Sequence, residues 1–396
     1  MRRVVITGAG TVNPLAQDVA GTYAALAAGR VAIGPLAFRD VDRLTVRIGA
    51  QVQGWQPAAH FTPAELGLLD PFAQFALVAA RQAMAQAGFT QGPEAAGVIL
   101  GSAGGGLQTS DDNYRQVYQE GRNRVHPLVV PRLMHNAASA HIAMAFGLRG
   151  PNYTVASACA SANHAIGQAF HLVRSGSTPV MLAGGSDAML CFGGVKAWEG
   201  LRVLSTTGCR PFSKGRDGMV MGEGSAVFVL EDWTHAQARG AVALAEVAGF
   251  AMNSDAQDIV VPSVQGAARA MAAALRDGGL AAAEVGYINA HGTGTTANDR
   301  SEAAAIAQVF EAMPPPVSAT KSMHGHLIGG AGAVELLACL MALDGVLPPT
   351  IGFIEPDPEC ALDVVPNVAR QARVGAVISN AFAFGGLNAV LALRRV

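Results

Sequence analysis

Charge is scarce in this 396-residue chain: 14% of residues are Asp, Glu, Lys or Arg, and the net charge is −2. No basic run occurs, and no aromatics interleave with Lys or Arg, which leaves no basis for nucleic-acid binding. So little charge also suits a surface that is buried in part against a partner. Cysteine is scarce too. Five of them, an odd number without close pairs, argue against a disulfide framework and fit a reducing, cytoplasmic setting. No stretch reads as a membrane span. Gly150 to Val173 lacks Asp, Glu, Lys and Arg, but Pro, Asn, His and Gln interrupt it and its period changes midway. It reads as a core strand followed by a buried helix. The opening MRRVVITGAG superficially resembles a signal peptide, yet its apolar run is short and passes directly into turn residues. A buried first strand is expected there.

What is present is apolar: 51% hydrophobic residues and a mean hydropathy of +0.30, at a length that suits one large double domain or two ordinary ones. Strand-like VVITGAG is followed by a helical stretch over Val19–Ala28. A helix over Phe72–Ala87 precedes AGVILGSAGGG, then TVASA with a helix over Ala160–Arg174, then PVMLAGGSD and SAVFVLED. After His235 the order recurs: VALAEVAGF, a helix over Val264–Asp277, VGYINAHGTG, PVSATKS, a helix over Ala331–Leu343, VGAVISNAFAFGG and NAVLALRR. This alternation predicts an α/β protein with mostly parallel sheets covered on both faces, divided into residues 1–238 and 239–396. A duplicated fold brings the Cys159 turn of one half to the Lys321/His326 turn of the other.

Cys159, in YTVASACASANHAIGQAF, falls where a β-branched run gives way to a helix, and a helix N-terminus favours a thiolate. The same residue also fits a small core position. Cys191, Cys209, Cys339 and Cys360 lack such a setting, and Asn163 and His164 read as core or backbone-satisfying groups. His291 follows the strand VGYINA and precedes Gly-Thr-Gly-Thr, where glycines permit close approach and Thr293 and Thr295 offer hydroxyls. Lys321 and His326 share the turn KSMHGHLIGGAG. Glu302 and Glu335 are the natural ion partners of Lys321, since an unpaired buried ammonium is costly. His324 and His326 lack the company of a carboxylate or Cys cluster, so no metal is expected. VVITGAGTVN has Asn13 where a dinucleotide fingerprint needs its third Gly or Ala, and GSAGGG lacks the Lys-Ser/Thr of a P-loop, so nucleotide binding is not supported. One thiol, two imidazoles and an ammonium on flexible turns point to acyl transfer through a thioester.

Together, ACAS, HGTGT, KSMHGH, CRPFSKGRDGMVMGEGSAVFVLE and SNAFAFGGLNAVLAL resemble the β-ketoacyl-[acyl-carrier-protein] synthase family of the thiolase superfamily, in particular its elongating members with a Cys-His-His set. The resemblance spans nearly the whole chain. It implies an acyltransferase with a five-layer αβαβα thiolase-like fold of two pseudo-symmetric halves, usually a dimer. It implies that Cys159 carries the acyl chain as a thioester, while His291 and His326 promote decarboxylation of a malonyl thioester and stabilise the enolate. Lys321 would organise the site electrostatically with Glu302. The N–H groups of Cys159 and Phe384 would form an oxyanion hole, with Phe384 gating entry, and Thr293 and Thr295 would bond the phosphopantetheine arm. That arm arrives on an acyl carrier protein, and no separate cofactor is implied.

Several positions depart from the family pattern. Gly104 stands where a branched aliphatic often limits the acyl channel, which predicts either room for longer or stiffer chains or a tight-packing glycine. Trp198 stands at a pocket position commonly smaller or Phe, where its bulk offsets that room or stacks on an unsaturated chain. Pro63, Ala64, Gly67 and Leu68 replace basic residues that meet an acidic carrier, leaving Arg122, Arg124 and Arg202 for phosphate or carrier contact. Leu387 and Ser213 replace a Thr and an Asp near the presumed site. The reading is a condensing enzyme of fatty-acid or polyketide/polyene type, with two alternatives: the active subunit of a heterodimer with a chain-length-factor-like partner, or a non-catalytic partner. The retained Cys159, His291 and His326 argue against the last. A degradative thiolase is disfavoured because two histidines stand where a second catalytic Cys would be.

Overall fold

Gly8 and Gly10, which open like a nucleotide-binding turn, instead let a helix lie on a strand. A Cβ on either would stand 2.0 Å from a carbonyl oxygen, that of Ala83 or Ala79. The strand is β1 (Val4–Val12), buried at every position, and the helix is α2 (Pro71–Gln86). The computed structural model describes residues 1–311 and 313–396.

Chain order continues from β1 through α1 (Val19–Ala27) and α2 to β2 (Gly97–Gly101), α3 (Leu107–Tyr118), α4 (Ala137–Phe146), β3 (Asn152–Val155), α5 (Ser161–Ser175), β4 (Val180–Asp187), α6 (Phe192–Gly200) and β5 (Gly224–Asp232). The second half runs β6 (Ala245–Ser254), α7 (Val264–Gly278), β7 (Val285–Asn289), α8 (Thr296–Phe310), β8 (Val317–Ser318), α9 (Ala331–Leu343), β9 (Ala376–Ala383) and β10 (Leu387–Arg394). The strand order is β8-β7-β9-β10-β6-β1-β5-β4-β2-β3. Each five-strand half therefore has its third, second, fourth, fifth and first strands in sequence, with matching directions. The halves join where Val4–Ile6 pair with Ala245–Val247. The central helices α5 and α9 pack against strands of both halves, while α2 and α7 cover outer faces. This is a five-layer αβαβα arrangement of two similar halves. Helix α9 is buried along its whole length, as its apolar composition requires.

The expectation of mostly parallel sheets is corrected. Of the nine neighbouring strand pairs, five are antiparallel. The cause is visible at β9 and β10, which are joined by a turn of Phe384, Gly385 and Gly386 with no intervening helix. A connection that short makes only antiparallel neighbours. Among the described residues no helix is long and apolar enough to cross a membrane.

Candidate active site

The Cys159 turn is closed locally. Ala158 takes a φ of 48°, Ser161 Oγ donates to Ala158 O at 2.7 Å, and Ser157 N donates to Ser161 Oγ at 2.8 Å. These contacts set Cys159 just before α5. The expectation of a resting thiolate there is corrected: burial pushes the thiol up to about 12, outweighing the pull of Lys321. The thiol keeps its proton at neutral pH. Asn163 donates to the backbone oxygens of Ser379 and Ala389, and His164 contacts Ser157 Oγ and Ala160 O, so both serve structure.

His291 follows β7 in a turn clamped by a carboxylate. Glu302 on α8 accepts the N–H groups of His291 and Gly292, each at 2.8 Å, and also bonds Asn380 Nδ2 at 3.1 Å. Glu302 is thus engaged by backbone, and its expected electrostatic partnership with Lys321 is corrected. Lys321 pairs with Glu335 on α9, and its Nζ also donates to His291 O at 2.6 Å. One carboxylate sits eleven residues from His291 and the other fourteen from Lys321, and only the fold decides which meets the ammonium.

His326 lies beside residues 220–222, its N–H donating to Val220 O at 2.7 Å. Its Nδ1 accepts the N–H of Ile328 at 3.1 Å, so the ring proton of the neutral form sits on Nε2. Among the described residues Nε2 is buried without a partner. His291 Nδ1 lies 3.4 Å from Lys321 Nζ, a group that only donates, which likewise places the proton on Nε2. Burial and the Lys321 charge hold both imidazoles well below the usual range, so both are neutral donors. The rings meet edge to face with centroids 5.4 Å apart.

Ligand-type atoms of Cys159, His291 and His326 lie within 4.8 Å of one another, a spacing that suits a metal. The locked tautomers oppose it, because an Nε2 that ligates needs its proton on Nδ1, where Ile328 N–H and Lys321 Nζ already point. His324 is turned away, its ring nitrogens meeting Gly325 O and Thr320 Oγ1.

These groups open on a cavity of about 110 Å³ lined by Cys159, His291, His326, Thr293, Thr295 and Phe384. Thr293 and Thr295 hydroxyls lie 2.9 Å apart at its wall. A larger hollow of about 420 Å³ near Asp111 and Tyr114 contains none of these residues. Trp198, Gly104 and Arg202 do not line the smaller cavity. Trp198 stacks on Phe384 at 5.9 Å between centroids. The room expected at Gly104 is occupied: a Cβ there would stand 2.6 Å from Met189 Cγ. Arg202 is exposed after α6, with a φ of 55°. Arg122 is held by Glu120 at 3.1 Å, and Ser213 Oγ accepts the N–H of Ile354. Sequence reasoning missed Asp187, Met189 and Ile328. A lone Asp closing the apolar run PVMLAGGSD was the one available signal, since a carboxylate at a buried strand end needs several donors.

Residues 1–236 match the family model described as "Beta-ketoacyl synthase, N-terminal domain" and residues 244–354 match "Beta-ketoacyl synthase, C-terminal domain". "Nodulation protein E" of Rhizobium sp. (strain N33) is 47% identical over 401 residues, covering all of both chains. "3-oxoacyl-[acyl-carrier-protein] synthase 2" of Coxiella burnetii (strain RSA 493 / Nine Mile phase I) is 39% identical over 410 residues, covering 100% of this chain and 99% of that one. The solved structure titled "The ishigamide ketosynthase/chain length factor" has a TM-score of 0.96 at 36% identity, covering 100% of this chain and 99% of that one.

Proposed function

The chain belongs to the β-ketoacyl synthase family, and on that premise we propose how its residues divide a decarboxylative condensation. Cys159 takes an acyl group from a carrier-bound pantetheine thioester. The new bond is Sγ to the acyl carbon, and the proton lost by Cys159 ends on the departing pantetheine sulfur. A malonyl thioester then enters, loses CO2 and leaves negative charge on its thioester oxygen. The Nε2–H groups of His291 and His326 bond that oxygen, and the enolate carbon attacks the acyl carbon. Cys159 leaves as a thiolate, takes a proton from solvent to return to the thiol, and the product is two carbons longer.

The observation that carries this reading is the pair of neutral histidines that line the Cys159 cavity with both Nδ1 atoms already engaged, which leaves the donor proton on Nε2. Two fixed donors stabilise developing charge without reorganising when it forms. Lys321 stays with Glu335 and acts on the histidines through its charge. Thr293 and Thr295 hold the pantetheine arm, and Phe384 controls the entrance. The backbone N–H groups of Cys159 and Phe384 hold the acyl oxygen. Beyond that cavity, Trp198, stacked on Phe384, and Gly104, with Met189 in its notch, bound the acyl side, and Arg202 meets the carrier or its phosphate. Pantetheine comes with the carrier, no separate cofactor takes part, and the reaction is cytoplasmic.

The halves divide at 238/239, and a second ketosynthase-fold subunit completes the molecule. In support, β3 ends the sheet with exposed Asn152 and Tyr153 and no outer neighbour among the described residues. A chain-length-factor partner is the second reading, favoured by the likeness to a ketosynthase/chain length factor structure. Intact-protein mass spectrometry with acyl-carrier substrates tests the assignment. The expected result is a single acyl adduct that Cys159→Ala abolishes; an adduct retained in that variant would refute it.

A further inference from the structure

Asp187 ends β4 fully buried, and its carboxylate ties together two loops from opposite halves of the chain. Oδ1 accepts Ser102 Oγ at 2.8 Å and Gly104 N at 3.0 Å. Oδ2 accepts Ala103 N at 3.0 Å and Gly329 N at 2.7 Å. Four donors and no ion pair surround it among the described residues. A carboxylate, which only accepts, is the one common side chain that satisfies all four.

The two loops do different work. Residues 102–104 adjoin Met189 and the apolar cluster that holds Cys159. Gly329 follows Ile328, whose N–H locks the His326 tautomer. Ile328 has a φ of 51°, unfavourable for a β-branched residue, so its peptide needs anchoring from outside. The loops touch closely: a Cβ at Gly329 would stand 2.5 Å from Ala103 N. Cys159, by contrast, is placed by Ser157, Ala158 and Ser161, with no bond to Asp187.

We infer that Asp187 is a positioning residue that holds the Ile328–Gly329 peptide against the 102–104 loop, so that His326 keeps its donor aimed at the malonyl thioester. It acts through His326 and touches no substrate. This inference rests on the condensing reading above. It makes decarboxylation depend on Asp187 far more than acyl capture does, because Asp187 meets Cys159 only through its charge.

The test uses the full chain and measures two partial reactions separately: acylation of Cys159 by mass spectrometry, and CO2 release from a malonyl-carrier thioester. In Asp187→Asn an amide nitrogen faces one pair of N–H or O–H donors. CO2 release is expected to fall about 100-fold, the scale of an ångström-sized misplacement, with acylation little changed. Ser102→Ala removes one of the four bonds but leaves Gly329 held, and is expected to retain CO2 release. If Asp187→Asn does not fold, Asp187→Glu gives the same split, because it keeps both acceptors but shifts them by one methylene. Equal loss of both reactions in the Asp187 variants, or loss of CO2 release in Ser102→Ala, overturns the inference and leaves Asp187 a packing anchor. A wild-type enzyme that performs neither reaction would instead overturn the condensing reading, and the inference with it.

Discussion

His326 Nδ1 accepts the N–H of Ile328 at 3.1 Å, and that contact decides what the ring offers the cavity. With Nδ1 occupied, Nε2 can only donate. His326→Ala should therefore lose decarboxylation and condensation by roughly 100- to 1000-fold, the cost of one oxyanion donor. Acylation of Cys159 should persist, and single-turnover assays of each step check this.

Lys321 and Glu335 form a fully buried ion pair. Lys321→Ala strands a carboxylate in the core and should cost about 3–5 kcal/mol, measured by denaturant unfolding. Loss of the nearby ammonium should also raise the His291 and His326 pKa values, since its charge helps hold them down. Histidine titration by NMR reads that second effect.

Stability should fall as pH rises from 6.5 to 8, above the range where the buried neutral histidines, which the unfolded chain protonates, oppose the carboxylates. Burial pushes Asp70 up to about 6 and Glu223 and Glu302 up to about 7. The folded chain then holds protons that the unfolded chain has already released. The stability these groups contribute is complete below their unfolded values near 4 and is lost as pH passes 6 to 7. Glu223 alone accounts for roughly 3–4 kcal/mol on this reckoning. Thermal unfolding across pH should show the decline, and Glu223→Gln should flatten its upper part.

Met189 fills the notch at Gly104, and on the proposed assignment this pair bounds the acyl side. Met189→Ala should extend the accepted chain length, and Gly104→Ile should shorten it. Competition among acyl-carrier substrates of graded length reads both. An unchanged profile in both variants would remove these residues from the acyl wall.

Much of the site was legible because Cys159, His291, Lys321 and His326 each sit on a Gly- or Ser-rich turn at an element boundary. The helix over 331–343 was legible too, since an unbroken apolar run beside such a turn has to be central. What was not legible depends on contacts across the halves. Glu302 and Glu335 both looked able to reach Lys321, and only the packing of α8 and α9 separates them. Asp187 and Ile328 act through backbone N–H groups, which leave little trace in residue type. The thiolate expectation at Cys159 failed because a helix end was weighed without burial, and here burial is the larger effect. The parallel sheets failed at Phe384–Gly386, where strand followed strand with no room for a crossover.

Carrier docking should show a shallow salt dependence, because Pro63, Ala64, Gly67 and Leu68 supply no basic cluster. Arg202→Ala should weaken it nonetheless, by titration calorimetry at two ionic strengths. A steep salt slope would point to a basic surface elsewhere.

The central claim is the division of labour between Cys159 and the two histidines, and chasing a preformed acyl-enzyme with malonyl-carrier protein tests it most directly. The wild type should discharge the acyl group into a two-carbon-longer product with one CO2 per turnover, while His326→Ala keeps the acyl group on Cys159. Discharge by His326→Ala at the wild-type rate, or CO2 release without chain extension in the wild type, would contradict the account.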